Sequence, residues 1–150
     1  MKTKFLKTIV LVLVSGLIFL LNSCSRSDDE PQQNSSTSGF SWRENSSTAP
    51  ENNAASADFK INTLRAYDAQ SKMIFEINLM KSSAVGTYSI DGDYVNGTAL
   101  YYLDDSFNAT SGTFTITANS NGKMSGSFEA SGSGKTISKM YGTFKDVPVK

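Results

Sequence analysis

Hydrophobic and polar residues alternate along most of the chain beyond about residue 58. In the clearest run, apolar side chains occupy every second position, at Met73, Phe75, Ile77 and Leu79. A period of two is the pattern of a strand that buries one face. Further strands are predicted in 59–66, where Phe59 and Ile61 alternate with Lys60 and Asn62 and an irregularity is expected at Thr63, and in 87–90, 94–96 and 98–103. Polar residues and glycine predict turns at 68–72, 91–93 and 104–106.

The C-terminal third of the chain repeats a short pattern of glycine, a hydroxyl residue and phenylalanine. The copies begin at Gly112, Gly126 and Gly142, so they are 14 and 16 residues apart. This spacing suits a strand of about six residues plus a tight turn, which predicts an antiparallel meander. Each glycine is expected to mark a bulge or close packing beneath a large neighbour. The predicted core positions are Phe114, Ile116, Ala118, Phe128 and Phe144, and the predicted water-facing ones are Thr113, Thr115 and Thr117.

These patterns predict an all-β protein. No segment after residue 24 keeps a helical period of 3.6 over ten residues. About eight or nine strands fit between residues 39 and 150, which favours a single antiparallel β-sandwich or flattened barrel ending in the β-meander. Both architectures bury one face of each strand, so the pattern leaves the two open. Residues 45–57 are rich in Asn, Ser and Ala and are expected to form a long loop within this β domain.

The N-terminus has the layout of a secretory signal. Three lysines in the first seven residues precede an apolar run over 9–21, and a cut is predicted between Ser23 and Cys24. The run of 13 residues is about 20 Å long as a helix, whereas a bilayer core is about 30 Å thick, so a permanent span is not expected. A cysteine directly after the cut resembles a bacterial lipoprotein signal. That resemblance implies cleavage of residues 1–23 and a diacylglycerol on Cys24, the only cysteine of the chain.

A lipidated Cys24 would anchor the protein to a membrane without spanning it. One acyl chain holds a protein marginally and two hold it stably, and the glycerol would carry two. Residues 25–38 contain no apolar side chain, so residues 24–38 are interpreted as a lipidated cysteine followed by a disordered tether. Because three lysines leave with the signal, 11 basic residues remain against 14 acidic ones. This balance provides no basic patch, and nucleic acid is not an expected partner.

The strand repeats resemble those of a known group of proteins. The tail over 112–147, together with Gly86-Thr87-Tyr88 and the pair Tyr101-Tyr102, resembles small β-rich lipoproteins of the Bacteroidota that have no assigned function. The segment Ser27-Asp28-Asp29-Glu30 resembles the acidic surface-export signal of lipoproteins in that phylum. The resemblance implies an outer-membrane lipoprotein exposed at the cell surface. In the alternative interpretation, the acidic run only keeps the tether solvated and the domain faces the periplasm.

The residue inventory argues against catalysis. The chain has no histidine, which removes the commonest general base and metal ligand. Gly-x-Ser-x-Gly does not occur, and the carboxylate pairs Asp91/Asp93 and Asp104/Asp105 fall where aspartate forms turns. Residues 91–97 resemble the start of a calcium loop but lack an oxygen ligand at Val95 and a glutamate at the twelfth place. We therefore expect no enzyme activity, no cofactor and no dedicated metal site.

Two functional hypotheses remain from the sequence. The first is a cell-envelope lipoprotein with a non-enzymatic binding or structural role, attached to the membrane by its lipid and partnered by an envelope protein or a glycan. The alternative is a sugar-binding accessory lipoprotein of a glycan-uptake system, with Trp42, Tyr101 and Tyr102 as its stacking surface. Exposed aromatic side chains gathered on one face would favour sugar binding, and aromatic side chains turned inward would favour the structural role.

Overall fold

The computed structural model describes residues 39–80 and 82–150, and every regular element in this part of the chain is a strand. The strands are β1 (Gly39–Glu44), β2 (Asn52–Asn53), β3 (Ser56–Lys60), β4 (Thr63–Tyr67), β5 (Met73–Leu79), β6 (Gly86–Ile90), β7 (Thr98–Tyr102), β8 (Phe107–Ser120), β9 (Lys123–Ser133) and β10 (Lys139–Pro148). The predicted all-β class is confirmed. The predicted loop 45–57 includes β2 and the first residues of β3.

The strands form one antiparallel sheet that curls into a half-barrel. The order across the sheet is β2-β1-β10-β9-β8-β7-β5-β4-β3. Strand β6 stands outside this order because it pairs with β8 alone, beyond the short stretch where β8 pairs with β7. A single parallel bridge between Phe59 on β3 and Val149 brings the last strand of the order against the end of the chain. The curl lets one face of the sheet enclose the core.

The predicted C-terminal meander is confirmed. Strand β9 pairs antiparallel with both β8 and β10 over most of its length. Strand β1 then pairs with β10 in an unbroken register from Gly39 opposite Lys145 to Glu44 opposite Met140. The meander therefore continues directly into the first strand, and residues about a hundred positions apart in sequence become neighbours.

Phenylalanine and glycine alternate across the inner face of the meander. One cross-strand row contains Trp42, Gly142, Phe128 and Phe114, and the next contains Phe40, Phe144, Gly126 and Ile116. A Cβ on Gly142 would overlap the ring of Phe128, and a Cβ on Gly126 would meet the ring of Phe144. The predicted close packing of glycine beneath a large neighbour is confirmed at these two positions, where the rings fold over the glycines and fill the core.

Two segments predicted as strand are turns. Strand β3 ends at Lys60 and β4 begins at Thr63, while Ile61 and Asn62 adopt φ angles of 50° and 57°. Ile61 is therefore 83% exposed instead of alternating into the core. Residues 94–96 lie in a second turn, because a carboxylate oxygen of Asp93 accepts hydrogen bonds from the backbone of Val95 and Asn96. Such local bonds offer the backbone an alternative to strand pairing.

One predicted core residue, Ala118, is exposed. The register of β8 and β9 shifts between Ile116, which lies opposite Gly126, and Ala118, which lies opposite Ser125. The extra residue of a bulge breaks the alternation of faces, so side chains beyond it no longer follow the inner set. The other four predicted core residues are buried, since Phe114, Ile116, Phe128 and Phe144 are each at most 4% exposed.

The half-barrel has two distinct ends. At the entry end the chain enters β1 at Gly39 and β10 finishes at Pro148. At the far end the turn 103–106 lies against the loop 134–137, where the backbone of Lys135 donates to the carbonyl of Asp105. Strand β5 runs away from the far end, because Leu103 at that end bonds to Ile74 near its start. Strand β5 therefore ends, at Leu79, towards the entry end.

Candidate functional site

The residues predicted to attach and export the protein lie outside the described residues. These are Ser23 and Cys24 at the predicted cleavage and lipidation site, and Ser27, Asp28, Asp29 and Glu30 of the acidic segment. Their assignments remain predictions from the sequence. No helix in the part of the chain that the structure describes has the length and apolar character needed to span a bilayer.

Trp42 is buried in the aromatic core. Its side chain is 6% exposed, and its ring centroid lies 5.0 Å from that of Phe75 in an edge-on arrangement. The indole nitrogen donates a 3.0 Å hydrogen bond to a carboxylate oxygen of Glu44, so its one polar group is already paired. Since its flat faces are covered, Trp42 offers no open ring for a ligand.

Tyr102 packs on the same cluster from the opposite side of the half-barrel. Its ring stacks on Phe75 with the centroids 4.7 Å apart, and it lies 5.7 Å from Trp42. Burial of the phenol raises the pKa of Tyr102 to about 12, with the negative charges of Glu44, Asp104 and Asp105 acting in the same direction. The neutral phenol is thus the form that the fold stabilises.

Tyr101 points away from the residues with which it was predicted to cooperate. Successive residues of a strand face opposite sides of the sheet, so Tyr101 lies on the outer face while Tyr102 lies on the inner one. Its nearest aromatic partner is Tyr94, with the ring centroids 6.2 Å apart. The structure therefore brings Trp42 and Tyr102 together in the core and separates Tyr101 from both.

The carboxylate pairs occupy turns, as the sequence predicted. One oxygen of Asp91 accepts hydrogen bonds of 3.0 Å from the backbone nitrogens of Asp93 and Thr98, which closes the turn over 91–98. At the far end, Asp105 is 8% exposed while its neighbour Asp104 forms a salt bridge of 2.6 Å with Lys72. Among residues 39–80 and 82–150, no group of three or more acidic, cysteine or histidine side chains converges as a metal site.

Asp105 joins two distant turns. Its carboxylate accepts hydrogen bonds from the backbone nitrogens of Thr136 and Ile137 and from the Thr136 hydroxyl, at 2.9–3.2 Å. Burial alone would raise the pKa of this carboxyl, but the hydrogen bonds to its charged form outweigh burial and lower the pKa. Asp105 is therefore a structural clamp between the turn 103–106 and the loop 134–137. The sequence marked it only as a turn residue.

A small polar cleft lies beside β6. Its volume is about 240 Å³, and its lining residues are Ser82, Thr87, Tyr88, Ser89, Asp91, Gly97 and Thr98. Several of the polar groups there are already engaged, since the Tyr88 hydroxyl donates to the carbonyl of Ala84 at 2.6 Å and Asp91 closes its own turn. Ligand sites for organic molecules usually measure roughly 300–1,000 Å³. The cleft is below this range, and a second one beside Trp42 measures only about 90 Å³.

A feature that sequence reasoning missed is a set of exposed apolar residues at the entry end. We call this set the apolar rim, and it comprises Ile61, Met80 and Val85, which are 83%, 45% and 62% exposed. A hydrogen bond joins the segments that carry two of them, because Leu79 N donates to Asn62 O at 2.8 Å. The signal was present in the sequence as apolar residues beside strand ends, but only the topology shows that these ends share one side.

No family model, curated protein or solved structure matches this chain.

Proposed function

We propose that this chain is a lipid-anchored protein of the cell envelope whose β domain has a non-enzymatic structural or binding role. The observation that carries the choice of role is the packing of the buried Trp42 and the half-buried Tyr102 against Phe75. Aromatic side chains that stack in a core stabilise the fold and leave no ring face for a sugar. The outer face of the meander instead presents hydroxyl side chains such as Thr113, Thr117 and Thr143.

Anchoring is supported by the order of features at the N-terminus. A basic start, an apolar run too short to span a bilayer, a small residue and then the only cysteine follow one another within 24 residues. The first strand begins at Gly39, so fourteen residues lie between the proposed lipid and the sheet. If these residues form the tether that the sequence predicts, its typical reach is about 20 Å. The domain would therefore work close to the membrane surface, where an envelope protein is the expected partner.

Metabolic labelling tests the anchor. Cells that express the full chain are grown with a fatty-acid analogue, and the protein is expected to take up the label and to fractionate with membranes. Cys24→Ala should lose both properties, while Ser25→Ala, a neighbouring substitution of similar size, should keep both. A Cys24→Ala protein that retains the label and the membrane fractionation would contradict the proposed anchor.

Sugar binding is the second candidate, and one observation favours it. Tyr94 is 52% exposed and lies beside Tyr101 on the outer face, which gives a small open aromatic surface. A glycan array would test this surface with the wild-type protein, with Tyr94→Ala, and with Tyr141→Ala as a control on an outer position of β10. Reproducible binding that is lost only in Tyr94→Ala would favour the sugar-binding role over our first proposal.

A further inference from the structure

The residues of the apolar rim are exposed to water, where polar side chains would be solvated more favourably. Ile61 is the clearest case. It occupies a tight turn between β3 and β4 with a φ of 50°, a conformation that favours Gly, Asn and Asp. A β-branched side chain is a genuine outlier there. The fold thus places a large apolar side chain at a position that disfavours it sterically, and leaves that side chain 83% exposed.

The rim residues lie on one side of the domain. Strand β5 ends at Leu79, directly before Met80, and β6 begins at Gly86, directly after Val85. Both ends belong to the entry end, since Gly86 lies opposite Ile116 in the last part of β8 and the side chain of Asn119 donates to the carbonyl of Ser83 at 2.8 Å. By contrast Leu103, another exposed apolar residue, lies in the turn 103–106 at the far end.

The point where the N-terminal segment joins the sheet lies at the same end. Gly39 opens β1 opposite Lys145, near the finish of β10. The residues that follow β10 bond to the turns at this end, since Val149 N donates to Gly122 O and Lys150 N donates to Phe59 O, both at 2.8 Å. Phe59 lies on β3, two residues before Ile61. Gly39, the first residue that the structure describes, therefore lies at the same end as the apolar rim.

We propose that the apolar rim is a membrane-contact surface, which inserts the side chains of Ile61, Met80 and Val85 into the lipid layer that holds Cys24. The inference rests on the proposed lipid anchor for its choice of partner, because an anchor that enters at the entry end turns this end towards the lipid. Apolar side chains at loop tips lose their contact with water when they enter the interface, as interfacial segments do. The anchor keeps the rim near the lipid, so a modest affinity is enough.

Site-directed fluorescence on the lipidated protein tests the proposal. If Cys24 carries lipid, a cysteine introduced by Val85→Cys is the only free thiol of the mature chain, and it can be labelled with an environment-sensitive dye. The full-length protein is extracted from membranes and reconstituted in vesicles of phosphatidylethanolamine and phosphatidylglycerol. We expect a blue-shifted emission that is quenched by nitroxide groups on the acyl chains. The matched control, Leu103→Cys at the far end, should keep a water-like emission without quenching.

A second variant separates membrane contact from folding. Ile61→Asn replaces the apolar side chain with one that suits the left-handed turn, so the midpoint of thermal unfolding should stay the same or rise. Quenching of the dye at position 85 should fall in Ile61→Asn, whereas Leu103→Asn should leave it unchanged. If the dyes at positions 85 and 103 are quenched equally in protein that floats with the vesicles, the proposed membrane contact of the apolar rim is contradicted. The proposed lipid anchor would be unaffected by that result.

The remaining outcomes also decide the question. Protein that does not float with the vesicles would show that the anchor has failed. The rim is then tested with Cys24→Ala combined with Val85→Cys in excess vesicles, where acyl-chain quenching supports the rim and its absence overturns it. A blue shift that appears in lipid-free solution as the protein concentration rises would assign the rim to contact between two copies of the chain, and would overturn membrane contact.

Discussion

Gly142 on β10 lies directly opposite Phe128 on β9, and the phenyl ring occupies the space where a Cβ on Gly142 would be. On the other side of the glycine stands Trp42 of β1. The missing side chain therefore lets two large aromatic residues share one cross-strand row. If position 142 carried a side chain, the ring of Phe128 would have to shift away from the row that it shares with Trp42. The repeated pattern of glycine and phenylalanine is thus a packing device.

Gly142→Ala should destabilise the domain by about 1–3 kcal/mol, the usual cost of overfilling a well-packed core. The loss of backbone freedom in the unfolded chain works in the opposite direction, but it contributes only about 0.4–1 kcal/mol. Chemical denaturation of both proteins measures the difference in the free energy of unfolding. The combination with Phe128→Leu is the control, because a smaller side chain removes the overlap. An equal cost of Gly142→Ala in both backgrounds would show that the ring does not limit this position.

Asp105→Asn should destabilise the protein at neutral pH, because an amide cannot serve as the charged acceptor for the three donors on Thr136 and Ile137. The pKa of Asp105 is lower in the folded protein than in the unfolded chain. Its stabilising contribution is therefore present above the ordinary pKa of aspartate, about 3.9, and is lost as the pH falls through the lower, folded value. Thermal unfolding across this acidic range should give a flatter pH profile for Asp105→Asn than for the wild type.

Asp104→Asn is the matched control for that experiment. Asp104 precedes Asp105 in the same turn, but it is exposed and pairs only with Lys72 across the surface. Exposed ion pairs contribute roughly 0–1 kcal/mol, so this variant should remain close to the wild type at neutral pH. If Asp104→Asn and Asp105→Asn lost the same stability, the clamp between the turn 103–106 and the loop 134–137 would not be the source of the effect.

The parts of the fold that the sequence predicted depend on local pattern. Phe114, Phe128 and Phe144 were assignable to the core because each belongs to a strand with a regular period. Ile61 and Ala118 were not, because positive φ angles in a turn and a bulge in β8 interrupt the period at these positions. A sequence that alternates through a turn carries the same apolar pattern as an unbroken strand.

The candidate site was less predictable because it depends on long-range pairing. The burial of Trp42 follows from the pairing of β1 with β10, about a hundred residues later. Nothing near Trp42 in the sequence indicates that partner. The apolar rim likewise arises when the ends of β3, β5 and the start of β6 meet at one side. The strand period assigns Tyr101 and Tyr102 to opposite faces. Which of the two faces the core can be decided only when the pairing of the strands in the sheet is known.

Tyr102 should titrate near pH 12, about two units above an ordinary tyrosine. The folded protein holds the phenol proton more tightly than the unfolded chain does, so the stabilising contribution is fully present below about pH 10. It is lost as the pH rises from about 10 through 12. The absorbance of tyrosinate should show one late titration that disappears in Tyr102→Phe and persists in Tyr101→Phe. A late titration that survives in Tyr102→Phe would assign the raised pKa to another residue.

The acidic segment after Cys24 predicts surface display. Protease added to intact cells should remove the domain if Asp28, Asp29 and Glu30 act as an export signal. Replacing these three residues by Asn, Asn and Gln should make the domain resistant until the outer membrane is opened. The same resistance in the wild-type protein would place the domain in the periplasm. Unchanged protease sensitivity in the triple variant would show that the acidic run only solvates the tether.

Mass spectrometry of the N-terminal peptide tests the lipid anchor most directly. The protein is extracted from membranes of cells that express the full chain, and it is digested without prior removal of lipid. Our account predicts a peptide that begins at Cys24 and carries the mass of a diacylglycerol on the thiol. A peptide that retains residues before Cys24, or one that begins at Cys24 with an unmodified thiol, would contradict the account.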